Sequence, residues 1–144
     1  MPYSILLIDD NVELLDLVAQ SLRVLGGYTT ITATDGLIGL EFAITMRPDC
    51  IVADVMMPEL DGFQLARTLR GDPDTADIPL IILTAVPQEQ GNFAGMASGA
   101  DYYLTKPVTI TNLVHAIQHA ITTSNAERAL RLQRLATDEE GPIA

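Results

Sequence analysis

Five short apolar runs, each followed by a stretch with helical periodicity, constrain this chain more than any other feature. An apolar run of about five residues is too short for a helix and reads as a buried strand. Residues 4–8 form the first run, ending in Asp9-Asp10. Residues 28–33, with three Thr and one Ile, form the second. Ile51, Val52 and Ala53, closed by Asp54, form the third. Pro79 introduces a fourth at 80–84, and residues 102–104 form a short fifth.

Helical spacing fills the intervals. Val12, Leu15, Val18, Ala19, Leu22 and Leu25 recur on one face, and Gly26-Gly27 stops the helix. Asp35-Gly36 opens a second helix that runs through Met46 and is ended by Pro48. Asp61 caps a third through about Arg70. Residues 87–98 read as a weak fourth helix, in which Gly91 and Gly95 each cost about 1 kcal/mol relative to Ala. A last helix starts near Thr111 and carries Leu113, Ile117, Ala120 and Ile121. Strict alternation of this kind predicts a doubly wound α/β fold: a parallel sheet with helices on both faces.

Composition narrows the function classes. A chain of 144 residues fits one domain, and 48% hydrophobic residues with 5% aromatics and no Trp imply an aliphatic core. A net charge of -11 opposes nucleic-acid binding by this chain. Cys50, the single cysteine, excludes an internal disulfide framework and is expected to be a small core residue. The start lacks the basic flank of a secretory signal, and no apolar stretch is long enough for a membrane span. A soluble cytoplasmic protein is the expectation. Lysine occurs once, at Lys106, against seven arginines, so that position invites a role a guanidinium would fill badly.

Asp9, Asp10, Asp54, Thr84 and Lys106 fall at the carboxyl ends of strands in four separate β–α units. In a parallel sheet those ends share one edge, where open α/β sheets place their ligand crevice. Taken singly, an Asp there is more often a cap or turn residue, and Asp10 with Glu13 has the spacing of a helix capping box. Three carboxylates on one edge repel one another, so they either shift pKa or hold a cation. Oxygen donors suit a hard octahedral ion such as Mg²⁺ (or Mn²⁺). A hydroxyl and an ammonium beside them suit a phosphoryl group, which one carboxylate could attack to give an aspartyl phosphate. The sequence has no Gly-rich phosphate loop, nucleophile elbow or clustered zinc ligands.

Four motifs carry a resemblance. They are Ile8-Asp9-Asp10; Asp54-Val55-Met56-Met57-Pro58 with Asp61-Gly62; Leu83-Thr84-Ala85; and the run from Gly99-Ala100-Asp101 through Tyr102-Tyr103-Leu104-Thr105 to Lys106-Pro107. Over residues 3–122 the chain resembles the receiver domain of two-component response regulators, the chemotaxis type. The resemblance implies a flavodoxin-like (βα)5 fold with sheet order 2-1-3-4-5. It implies that Asp54 accepts a phosphoryl group from a histidine kinase or phosphotransfer protein. By the same resemblance, Asp10, Asp54 and the backbone carbonyl of Met56 bind Mg²⁺ directly, with Asp9 acting through water. Thr84 and Lys106 would bind the phosphoryl oxygens, Tyr103 would be the switch aromatic, and the Lys106–Pro107 bond is expected to be cis.

A face made of the fourth helix, fifth strand and last helix is then expected to present the state to a downstream protein or a second copy. Met56 and Val86 occupy two positions that vary in the family and affect phosphoryl lifetime. Neither side chain can position an attacking water, so slow self-dephosphorylation is expected.

Residues 123–144 are expected to form a helical extension and an acidic tail. Arg128, Arg131 and Arg134 lie three apart on it and could form one basic stripe, and the helix either frays, packs on the receiver or pairs two copies. His115 and His119, spaced i, i+4, read as surface histidines with no third zinc ligand nearby. No DNA-binding or kinase module follows, so a single-domain regulator rather than an enzyme is expected. Two alternatives are a receiver-like scaffold that works without phosphorylation and an Asp-nucleophile phosphohydrolase. Against the latter, Met56 stands where such enzymes usually place a second Asp.

Overall fold

The structure, a computed structural model, describes residues 2–57, 59–85 and 100–138. Pro58, Val86, the fourth helix expected at 87–98, the end of the acidic tail and the side chains of Arg128, Arg131 and Arg134 lie outside the described residues.

Five parallel strands form one sheet in the order β2-β1-β3-β4-β5: β1 (Ser4–Ile8), β2 (Thr29–Ala33), β3 (Cys50–Asp54), β4 (Leu80–Thr84) and β5 (Tyr102–Thr105). The doubly wound, flavodoxin-like fold expected from the sequence is the fold observed. β3 lies in the centre, and all five of its residues are buried. Burial on both faces explains why β1, β3 and β4 are almost wholly apolar rather than alternating.

Alternate residues of the strands feed two core layers. Ile5, Leu7, Val52, Ile81 and Leu83 pack against α1 (Val12–Gly26) and the C-terminal helix (Ile110–Asp138). Leu6, Ile8, Ile51, Ala53, Leu80 and Ile82 face the opposite way, towards α2 (Gly36–Met46) and α3 (Gly62–Gly71). Side chains such as Leu22, Leu65, Leu69, Leu113 and Ile117 are fully buried, each worth about 1.5–3 kcal/mol of transfer free energy.

Helix ends follow local chemistry. Asp35 caps α2 by accepting from Ile38 N. Asp61 and Gln64 form a reciprocal capping box on α3. Gly27 ends α1 in the left-handed conformation, at φ 68. The capping reading of Asp10 is not what forms. Asn11 is the N-cap of α1, its side chain accepting from Leu14 N, which leaves the exposed Asp10 carboxylate outside the helix. The C-terminal helix passes residue 122 without a break. Among the described residues no helix is long and apolar enough to cross a membrane.

An acidic pocket at the carboxyl edge of the sheet

The turn after β1, the end of β3, the end of β4 and the turn after β5 meet at one edge of the sheet. Asp9 and Asp54 are buried there, and Asp10 is exposed. One carboxylate oxygen from each of the three lies within 4.8 Å of the others. Parallel pairing places these groups side by side. Ile8 registers with Ala53, Asp54 with Leu83, and Thr84 with Thr105, one residue before Lys106.

Lys106 reaches into this cluster. Its Nζ donates to Asp54 Oδ2 at 2.8 Å and lies 3.7 Å from Asp9 Oδ2. The Lys106–Pro107 bond is cis, and Lys106 N donates to Thr84 O at 2.7 Å, tying the turn to the end of β4. The second carboxylate oxygens of Asp9 and Asp54 have backbone donors. Asn11 N donates to Asp9 Oδ1 at 2.9 Å, and Met56 N to Asp54 Oδ1 at 3.2 Å. Among the described residues, no buried side-chain nitrogen or oxygen lacks a partner.

Electrostatics follow from this crowding. Burial raises the Asp9 pKa above the ordinary carboxylate range, and the nearby Asp54 charge and Asp10 push the same way. The Asn11 hydrogen bond and the Lys106 charge act in opposition without cancelling the rise. Burial alone would lower Lys106, but its hydrogen bond and charge interaction with Asp54, aided by Asp9, prevail and raise it. Lys106 is therefore a fixed cation at neutral pH. Three carboxylates and one ammonium leave two negative charges, an arrangement of hard oxygen donors that suits a divalent cation.

Thr84 is buried beside this pocket at the end of β4. Tyr103, on β5, is half-buried and packs on Phe63 of α3, with ring centroids 6.2 Å apart. Met56 leaves the pocket rim for solvent at 69% exposure, whereas Met57 is buried. The expected residues Asp9, Asp10, Asp54, Thr84 and Lys106 thus gather at one edge. The backbone donors of Asn11 and Met56 have no side-chain signature and were not legible in the sequence. His115 is exposed, as expected. His119 is also exposed, but its Nδ1 contacts the Tyr102 hydroxyl and its ring stands edge-on to that tyrosine.

The family model of the response regulator receiver domain matches residues 5–118, and this chain belongs to that family. It is a family of signalling domains rather than catalytic enzymes, of the same chemotaxis type as the solved relatives. The chain is 42% identical over 114 residues to the DNA-binding dual master transcriptional regulator RpaA of Synechocystis, covering 79% of this chain and 47% of that protein. Against the chemotaxis protein CheY4 of Vibrio cholerae the TM-score is 0.78 at 29% identity, over 83% of this chain and 99% of that one. The receiver domain of a Pseudomonas aeruginosa sensor histidine kinase matches with TM-score 0.77 at 30% identity, over 85% and 99%. That relative has a magnesium ion coordinated in its active site cleft. This chain spans about half the length of the curated relatives it matches.

Proposed function

We propose that this chain is the phospho-accepting element of a two-component relay, with Asp54 as acceptor. The observation that carries the reading is the placing of Lys106 Nζ 2.8 Å from Asp54 Oδ2 inside a cluster of three carboxylates. In the transfer, an Asp54 carboxylate oxygen bonds to phosphorus as the bond from phosphorus to the donor imidazole breaks. The electron pair stays on the imidazole nitrogen of the histidine kinase or phosphotransfer protein. Lys106 then moves its hydrogen bonds onto the phosphoryl oxygens, and the Thr84 hydroxyl donates to another of them. Asp9, Asp10, Asp54 and the Met56 carbonyl would hold Mg²⁺ (or Mn²⁺), with Asp9 acting through water. The bound ion supplies charge neutralisation for the incoming phosphoryl group.

The response is a population shift, because a modification switches a protein only if two packings interact with it differently. Thr84 drawn towards the phosphoryl group vacates space into which Tyr103 turns. The face composed of residues 87–98, β5 and the C-terminal helix then changes for a downstream protein or a second copy. Residues 3–122 act as the receiver and 123–144 as an extension, in the cytoplasm. Met56 at the rim offers no group to position an attacking water, so the aspartyl phosphate is long-lived.

The test is intact-protein mass after incubation with acetyl phosphate and Mg²⁺, for wild type and Asp54→Asn. One phosphoryl adduct on the wild type alone, lost when EDTA replaces Mg²⁺, is expected. No adduct under any condition would leave the phosphorylation-independent scaffold as the better reading.

A further inference from the structure

α2 is the least ordinary helix among the described residues. Its sequence from Gly36 to Met46 contains one charged residue, Glu41. Gly36, Gly39 and Ala43 make its buried face, while Leu37 and Ile44 stay 51% and 39% exposed. Ile38, at 37% exposed, flanks the other side of the same outward face, and Glu41 lies in its middle. A helix that is apolar on nearly every side is ordinarily covered on every side. Among the described residues, nothing forms an ion pair with Glu41.

The central carboxylate decides what covers it. Two copies packing α2 on α2 about a twofold axis would bring the two Glu41 carboxylates together in an apolar contact, which is costly. The fitting occupant is an amphipathic helix with a cation set among apolar residues. The sequence of the C-terminal extension holds both kinds of residue. The C-terminal helix continues for sixteen residues, 123–138, past the expected boundary at 122, about 24 Å of helix against about 16 Å for α2. Three of the chain's eight cationic residues, Arg128, Arg131 and Arg134, fall in that extension, and at 3.6 residues per turn the positions of Leu132 and Leu135 share a face with those of Arg128 and Arg131. The helix cannot fold back onto its own α2. It is continuous, and it packs on the face of the sheet opposite to α2.

We propose that the extension of one copy docks on α2 of a second copy, its arginines meeting Glu41 and its leucines meeting Leu37, Ile38 and Ile44. The contact is reciprocal, so a closed dimer carries it twice. It does not depend on phosphorylation of Asp54.

Sedimentation equilibrium of the full chain tests this, with wild type, Glu41→Arg, Arg131→Glu, the double variant and Ile44→Asp. A monomer–dimer equilibrium is expected for wild type. Each single charge reversal should weaken it about tenfold or more, and the double reversal should recover most of the loss. Ile44→Asp should give a monomer. All four variants should still take a phosphoryl group from acetyl phosphate if wild type does, which shows that they are folded. Circular dichroism melting serves the same purpose if the wild type does not. A wild-type monomer throughout would overturn the proposal and assign α2 to a different protein. Self-association indifferent to Ile44→Asp, or two weakened charge reversals without recovery in the double, would overturn it as well.

Discussion

Replacing Lys106 by Met takes the one positive charge out of a pocket of three carboxylates while keeping most of the side-chain volume. The ammonium is 2.8 Å from Asp54 Oδ2 and 3.7 Å from Asp9 Oδ2. At an effective dielectric of about 20, those separations correspond to roughly 6 and 4.5 kcal/mol of attraction before desolvation. Taking the ion and two carboxylates out of water offsets most of that, because the Lys106 side chain is only 27% exposed. A net loss of about 1–3 kcal/mol is expected. The folded pKa of Lys106 is raised above its ordinary 10.5, so its contribution is fully present below that value and is lost only as pH rises through the folded one. A comparison at pH 7 therefore reads the whole effect. The assay is urea unfolding followed by circular dichroism, in EDTA and in saturating Mg²⁺. In EDTA the variant should be less stable. In Mg²⁺ the gap should close, and the variant should bind Mg²⁺ more tightly than wild type, because no ammonium competes for the carboxylates. Equal stability in EDTA, or weaker Mg²⁺ binding by the variant, would refute the charge balance inferred for the pocket.

Three further outcomes test the scaffold around the site. Gly36→Ala would bring a Cβ to 2.2 Å from Leu60 O, a backbone atom, so overpacking of about 1–3 kcal/mol should exceed the roughly 1 kcal/mol gained in helix propensity. A melting temperature at or above that of wild type would count against the packing of α2 on the loop before α3. The buried Thr75 hydroxyl donates to Leu69 O at 2.7 Å, so Thr75→Val should cost about 1–2 kcal/mol in urea unfolding, and no change would mean the bond contributes nothing. Burial pushes the Cys50 thiol well above its ordinary 9.0, so thiol reagents should label it only through unfolding. Above about pH 9.0 the unfolded thiol ionises and the folded one does not, so this group should weaken folding as pH rises there. Rapid labelling of native protein would contradict its placement.

What the sequence made legible was whatever depended on hydrophobic period and strand ends. β1, β3 and β4 are continuous apolar runs because helices cover both faces of the sheet. A chain with that pattern has few other ways to bury its strands. Asp9, Asp54, Thr84 and Lys106 were readable because parallel topology brings strand ends together irrespective of the rest of the chain. Asp10 was harder. Its spacing to Glu13 fits a capping box, and only the observed conformation at Asn11 shows which residue takes the cap. Thr75 lay in what reads as a polar loop, yet it is buried because its hydroxyl closes the end of α3. The pairing of Tyr102 with His119 depends on how β5 meets a helix seventeen residues later, and no local pattern encodes that.

The C-terminal helix is anchored near its start by Leu113, Ile117, Ala120 and Ile121 and then continues to Asp138. Mechanically it is a lever with its fulcrum at the domain. A rigid tilt of about 10° around Ile121 would carry its far end through about 4 Å over the roughly 25 Å of helix beyond. A displacement of the supporting strand too small to alter the core would thus become a shift close to a side-chain width at the tip. Whatever the tip touches would receive the motion already amplified.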